Sequence, residues 1–206
     1  MAGIEIDEDT YDVDVYNNKI YDLYNFNSTD PMVGGVIMHA DFRPTISRTI
    51  NIYNNYIYLH NTANTQLFGI WDVSSANTSN IKLNCFYNTI LLAGAISGSP
   101  STYNESACFN RGFTGTASPN TKLTTLTDTY LRNNILINLR TGGTNKHYAI
   151  LNAPANSADY TNVTSGWGTA QSNYNFSVTS GSDCYGVWGG SSLTALTVKS
   201  LSQWKS

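Results

Sequence analysis

The sequence is poor in charge, proline and cysteine. Charged residues make up 12% of its 206 residues, against roughly a quarter in an average globular domain. The formal net charge of −3 and the lack of a Lys/Arg cluster argue against nucleic-acid binding and against a basic membrane-facing patch. No apolar run approaches the length that spans a bilayer, so no membrane span is expected.

The cysteine count of 3 is odd, and no pair has the spacing of a metal site such as C-x-x-C. Cys85 and Cys108 fall at inward or small-residue positions of the repeats described below, so we expect them to be small buried hydrophobes. Cys184 stays unassigned. No cofactor is expected from these residues.

The sequence has an internal repeat of strand, asparagine corner and strand, and its first copy is V-D-V-Y-N-N-K-I-Y-D-L. Four copies align on Asn18, Asn55, Asn88 and Asn134, which are 37, 33 and 46 residues apart (18 to 55, 55 to 88 and 88 to 134). Apolar residues alternate with polar ones on both sides of each corner, as in a strand with one buried face. In the fourth copy the apolar residues after the corner, Ile135 and Ile137, stand one place early.

A second ladder of a small residue followed by an apolar residue alternates strictly with the corner asparagines. Its members are Gly35-Val36, Gly69-Ile70, Cys108-Phe109, Ala149-Ile150 and Gly186-Val187. Repeats of this length bury their apolar faces only by stacking on their neighbours. We therefore predict an all-β, right-handed parallel β-helix of about five coils, with the four asparagines in one internal ladder.

We expect residues 1–206 to form one β-helix domain, cut from a larger protein because the start lacks the features of a signal peptide. Apolar residues at 193, 196, 198, 201 and 204 predict a short helix over the last coil. The open end coils favour end-to-end self-association, in which acidic repulsion disfavours pairing of two N-terminal ends.

Six of the 14 acidic residues lie between Glu5 and Asp14. Asp7, Asp9, Asp12 and Asp14 form a weak candidate calcium site, since carboxylates at alternate strand positions line one face. The simpler interpretation is a solvated strand at the end of the solenoid.

Exposed aromatic residues in the first two coils are the candidate ligand-binding residues: Tyr21, Tyr58 and Trp71. Tyr21 and Tyr58 fall three places after their corner asparagines, so they are expected to be neighbours on an outer face, above Leu91 and Leu136. Such a column suits either a sugar ring or packing between strands.

Residues 93–126 are rich in Gly, Ser, Thr and Pro, which predicts loops that leave the coil and provide a second candidate binding surface. Glu105 and Arg111 lie in this segment and are expected to form a surface ion pair.

The string L-R-N-N-I-L-I-N-L-R-T-G-G-T-N-K-H-Y-A-I, with the later Y-G-V-W-G-G and L-S-Q-W-K-S, resembles β-helix segments of large secreted bacterial proteins that use type IX secretion. These segments have the pectate-lyase-like β-helix fold. The resemblance implies an extracellular or cell-surface location. It implies no particular chemistry.

The alternative is a polysaccharide lyase or hydrolase of the same superfamily. The N-T-D, D-D, G-H-G and R-I-K motifs of such hydrolases are missing, and the later carboxylates are scattered singly. A lyase needs a base and a cation, and Arg140, Lys146 and His147 are the only cluster of suitable types. We favour a structural or adhesive module whose partners are glycans or neighbouring domains.

Overall fold

The protein winds through repeated coils of three strands each. The structure is a computed structural model that describes residues 1–7, 11–24, 32–39, 47–63, 65–72, 81–97, 104–111, 128–143, 146–152, 172–180, 186–188 and 197–199. Five coils of three strands lie within these residues. The first coil consists of β1 (Ala2–Ile6), β2 (Val13–Tyr16) and β3 (Lys19–Tyr21), the second of β4 (Met32–Met38), β5 (Arg48–Tyr53) and β6 (Tyr56–His60), and the third of β7 (Gln66–Asp72), β8 (Ile81–Phe86) and β9 (Thr89–Ala93). The fourth coil consists of β10 (Ser106–Arg111), β11 (Asp128–Arg132) and β12 (Ile135–Asn138), and the fifth of β13 (His147–Asn152), β14 (Ser172–Asn173) and β15 (Phe176–Thr179).

Equivalent strands of successive coils pair in parallel to form three sheets. Sheet A has the order β1-β4-β7-β10-β13 and continues into β16 (Gly186–Trp188) and β17 (Thr197–Lys199). Sheet B runs β2-β5-β8-β11-β14, and sheet C runs β3-β6-β9-β12-β15. The predicted right-handed parallel β-helix of about five coils is therefore confirmed.

The helix predicted near the C-terminus is wrong at residues 197–199. These residues form β17, which pairs antiparallel with β16 through Val187 and Val198. The β-branched Thr197 and Val198 favour a strand, and the free edge of β16 offers it a partner. The other residues of the predicted helix lie outside the described part. The described residues contain no helix long and apolar enough to cross a membrane.

The predicted asparagine ladder is confirmed and extends one coil further. Each side-chain amide nitrogen donates to the side-chain oxygen of the next asparagine, at 3.0 to 3.1 Å from Asn18 through Asn55, Asn88 and Asn134 to Asn175. The backbone N–H of each also donates to that same oxygen. Asn55, Asn88 and Asn134 are buried, so these bonds satisfy groups that water cannot reach.

The left-handed residue of each corner is the one before the ladder asparagine. Asn17, Asn54, Tyr87, Asn133 and Tyr174 have φ between 55° and 59°. Asparagine tolerates this conformation better than most residues, whereas tyrosine takes it at a cost. The second asparagine therefore contributes its amide, whereas the first position demands only a left-handed backbone, which asparagine adopts at lower cost than tyrosine.

Inward residues stack in columns along the solenoid axis. Val15, Ile52, Cys85 and Leu131 pair in succession, as predicted. In the fourth coil the residue that pairs with the inward Ile90 is Leu136, which is buried. The predicted one-residue shift is therefore wrong: Ile135 and Ile137 face outward, and Ile137 rather than Leu136 continues the outer column of Leu91. Regular stacking on the asparagine ladder fixes this register.

The small-residue column marks a step at which two consecutive residues of each sheet A strand face inward. Val36, Ile70, Phe109 and Ile150 pair in register and belong to the core. A Cβ on Gly69 would lie 2.4 Å from Ile90 and 2.5 Å from the carbonyl oxygen of Cys108. The residue before each apolar one must therefore be small. Cys85 and Cys108 are buried, as expected, and burial raises the pKa of both thiols. Cys184 lies outside the described residues.

The two ends of the solenoid differ. At the first coil, β1, β2 and β3 are edge strands of their sheets within the described part. At the other end sheet A extends to β17, whereas sheet B ends at β14 and sheet C at β15. A second copy that continued all three sheets would need the place of β16 for its own β1, so end-to-end association requires β16 and β17 to move. That association stays a prediction.

Candidate functional site

The outer face of sheet C exposes four large apolar or aromatic side chains: Tyr21, Tyr56, Ile135 and Phe176. Strand alternation points every second residue outward, so equivalent residues form two long columns. One column contains Lys19, Tyr56, Thr89, Ile135 and Phe176, and the other contains Tyr21, Tyr58, Leu91, Ile137 and Val178. We call these two columns, with His60 and Ala93, the sheet C face. It carries no carboxylate, and Lys19 is its one residue that is always charged.

Three tyrosines cluster at the start of the sheet C face. Tyr21 is 56% exposed and Tyr56 42% exposed, while Tyr58 is half-buried beside His60, with ring centroids 6.4 Å apart. Tyr21 and Tyr58 are backbone partners, as predicted. Tyr21 and Tyr56 make no ring contact with another described residue, so the faces of their rings remain available to a ligand.

Sheet B shows the contrasting arrangement. Tyr16 and Tyr53 stack with centroids 5.1 Å apart and an interplanar angle of 4°, and Phe86 continues the stack 5.8 Å further on. Their ring faces contact each other, so this column stabilises the fold and offers a ligand mainly ring edges. On the same sheet, the Nζ atom of Lys82 and the Cζ atom of Arg132 lie over the ring of Tyr130, at 4.7 and 5.1 Å from its centroid.

Trp71, the third predicted ligand-binding residue, does not contribute to an exposed site. Its side chain is 2% exposed and packs against Phe68, with ring centroids 4.8 Å apart. Both belong to a second apolar cluster on the outer side of sheet A, where β4, β7 and β10 are buried on both faces. A sequence pattern of alternating exposure cannot reveal such a covered face, which is why Trp71 was expected outside.

The predicted catalytic cluster is divided between the interior and the surface. Arg140 is fully buried, and its guanidinium donates to the carbonyl oxygens of Ala63 (2.8 Å), Asn104 (3.3 Å) and Thr65. Burial lowers the pKa of Arg140 to about 10, although the nearby Glu105 opposes this shift. Arg140 therefore fastens two neighbouring turns together and cannot touch a polymer in solution.

His147 is also held inside the coil. One ring nitrogen, Nε2, lies 2.9 Å from the carbonyl oxygen of Gly142, and Nδ1 lies 2.9 Å from the hydroxyl of Ser106. Because a carbonyl only accepts, Nε2 carries the proton and Nδ1 accepts from Ser106. Asn138 donates to the same hydroxyl at 2.9 Å. His147 therefore bonds to the carbonyl of a turn and to a neighbouring strand. Lys146 is exposed, whereas Arg140 and His147 are buried, so the three side chains do not form one site.

Acidification from neutral pH to about pH 4 should lower the free energy of unfolding through His147 by about 3 kcal/mol. Burial, together with the charge of Arg140, lowers its pKa from 6.5 to about 4, while the bond to Gly142 opposes the shift. The unfolded chain therefore binds the proton first. Stability from this group is complete above pH 6.5 and is lost as the pH falls toward 4.

Urea unfolding of wild type and His147→Gln across this range measures the effect. The variant should have a flatter profile, whereas His60→Gln, at an exposed histidine, should follow the wild type. Parallel profiles for wild type and His147→Gln would contradict the prediction.

Two of the four candidate calcium ligands bond to the next coil. Asp12 accepts from the backbone N–H of Thr49 at 2.6 Å, and Asp14 accepts from the side chain of Asn51 at 2.7 Å. Asp7 is exposed, and Asp9 lies outside the described residues. No group of three or more metal-ligating side chains occurs in the described part. The carboxylates of Asp12 and Asp14 thus bond to the neighbouring coil and do not converge on one point.

Glu105 and Arg111 are buried, so the expected surface ion pair is wrong. Glu105 accepts from the side chain of Gln66, and Arg111 lies 3.9 Å from Asp72 between paired strands. Most of the loop surface predicted for residues 93–126 lies outside the described residues. Tyr56, Ile135 and Phe176 of the sheet C face were not among the predicted site residues. Each directly follows a ladder asparagine, and this spacing is the signal that could have found them.

Comparison with protein-family models, curated proteins and solved structures finds no match to this chain.

Proposed function

We propose that this β-helix is an extracellular or cell-surface module with a structural and adhesive role, and that it binds glycans on the sheet C face. The observation that carries the proposal is the pair of exposed, unstacked rings of Tyr21 and Tyr56 beside Tyr58. An aromatic ring face is electron-rich and attracts the polarised C–H groups of a sugar, while the tyrosine hydroxyls can bond to sugar hydroxyls.

The rigidity of the face favours the same function. Tyr21 and Tyr58 stand on paired strands whose inward neighbours, Ile20 and Ile57, are buried in the core. Their backbones are therefore fixed before a ligand arrives, which reduces the entropy lost on binding. The resemblance to segments of secreted bacterial proteins supports the proposed location.

A glycan array probed with the whole chain tests the proposal. We expect binding that the double substitution Tyr21→Ala/Tyr56→Ala weakens by roughly tenfold or more, because the two exposed ring contacts are lost. Tyr16→Ala is the matched control, since Tyr16 is on the same coil and 50% exposed but lies on sheet B.

The two ways of failing differ. Silence of the wild type across the array would refute glycan binding and leave a scaffold role. Binding that Tyr16→Ala weakens as much as the double variant would show that the ligand lies elsewhere.

A further inference from the structure

We infer that the ligand of the sheet C face is an uncharged, linear glycan chain that lies along the solenoid axis and crosses all five coils from Tyr21 to Phe176. This inference rests on the proposed function and specifies its ligand and direction. It adds Ile135, Ile137 and Phe176 to the three tyrosines.

The shape of the face sets the direction of the chain. Along a strand the face is limited, because β3, β12 and β15 have three or four residues, roughly 10 to 13 Å, and β6 and β9 have five, roughly 17 Å. Along the axis it continues through five paired strands, so that Tyr21 and Phe176 are separated by four strand spacings, about 19 Å. A ligand longer than a short fragment can stay in contact only by running across the coils.

The surface along this path is continuous and apolar. Phe176 is 59% exposed at the far end, and Ile135 is its backbone partner on the preceding coil. Ile135 pairs in turn with Thr89, and Thr89 with Tyr56. The exposed rings of Tyr56 and Phe176 thus stand at the two ends of this row, with the aliphatic Ile135 and the hydroxyl of Thr89 between them. Such a surface can contact successive sugar rings.

The charge of the face excludes an acidic chain as its best ligand. A uronate or sulfate on each sugar needs a cation or an amide donor nearby, because its hydration is lost on binding. Lys19 lies at one end of the path, and the outward positions of β9, β12 and β15 carry no charge. The charged residues of this region are on sheet B instead, including Asp14, Lys82 and Arg132. An uncharged glycan has no charged group to desolvate on this surface, so its cost of binding there is lower.

Titration calorimetry with two series of oligosaccharides tests the inference. The neutral series consists of cello-, xylo- and manno-oligosaccharides from the disaccharide to the hexasaccharide, and the acidic series of oligogalacturonides of the same lengths. We expect affinity for one neutral series to rise with length, and to change by less than about twofold when salt is raised from about 0.05 to about 0.5 M.

Substitutions at the two ends of the sheet C face then distinguish a glycan that lies along the solenoid axis from one that binds only near the tyrosines. Phe176→Ala should weaken hexasaccharide binding roughly fivefold and leave disaccharide binding unchanged, whereas Tyr21→Ala should weaken both. Tyr174→Asn is the matched control, because Tyr174 is on the same coil as Phe176 and is 77% exposed, but lies at the corner. Asparagine also occupies the equivalent corner position in three other coils.

Three results would overturn the inference while leaving glycan binding intact. These are a hexasaccharide that binds no more tightly than a disaccharide, a hexasaccharide affinity that Phe176→Ala leaves unchanged, and tighter, salt-sensitive binding of oligogalacturonides. Failure of every oligosaccharide to bind would refute the inference alone if the glycan array is positive, and glycan binding as well if the array is silent.

Discussion

Asn88→Ala should lower the free energy of unfolding by roughly 3 to 5 kcal/mol. Asn88 is buried and its side chain makes four hydrogen bonds: it accepts two from Asn55 and donates to the carbonyl of Ile52 and to Asn134. Alanine would leave these partners in a space that excludes water. Each unsatisfied buried group costs about 1 to 3 kcal/mol, and some relaxation reduces their sum.

The matched control for this prediction is Asn18→Ala at the end of the ladder. Asn18 is half-buried and donates to Asn55, but no described residue donates to its side-chain oxygen. In Asn18→Ala the oxygen of Asn55 keeps its hydrogen bond from the backbone N–H of residue 18, and the lost side chain was only half-buried, so we expect a loss of about 1 kcal/mol or less. Urea unfolding followed by circular dichroism measures both values. Equal losses at the two positions would show that burial of the ladder does not determine its contribution.

Arg140→Ala should have an effect of similar size, roughly 3 to 5 kcal/mol, because it removes a buried charge and orphans three carbonyl groups. Glu105 would also lose the cation near it. Arg140→Lys should recover only part of the loss, since a single ammonium cannot reach carbonyls on separate turns as a planar guanidinium does.

Arg132→Ala provides the comparison for Arg140. Arg132 is half-buried on sheet B and lies over the ring of Tyr130 at 5.1 Å, so its loss should cost about 1 kcal/mol. Thermal and urea unfolding of the three variants ranks them. A melting temperature for Arg140→Ala within the range of Arg132→Ala would contradict a fastening role for Arg140.

The repeated part of the fold could be predicted from the sequence because each coil has the same internal requirements. An asparagine recurs where its amide bridges two coils, and a small residue recurs where two neighbours face inward together. Alternation around Asn55 and Asn88 then identified the buried residues. The fourth coil was misread since Ile135, Leu136 and Ile137 are all apolar, so hydrophobicity alone did not reveal which of them faces inward.

The buried polar groups could not be predicted in the same way. Glu105, Arg111 and Arg140 occur once each, without a repeat to reveal their orientation, and charged residues are rarely buried unless they are paired. Trp71 was misplaced for a related reason, because sheet A is covered on both faces while sheets B and C are exposed on one. The pairing of Tyr21 with Tyr58 on sheet C was predictable since both lie at the same place in regular strands.

The parallel pairing of coils also determines how the module would respond to a pulling force. The chain enters at β1, on one edge of sheet A, and its last described strand, β17, lies on the opposite edge. Tension between these points is directed along the hydrogen bonds that join successive coils. Under such tension the hydrogen bonds of the outermost coil carry the force and break first, whereas in shear all the bonds between two strands would carry it together. The solenoid should therefore unfold in steps, one coil after another, and dissipate mechanical energy at each step when its two ends are pulled apart.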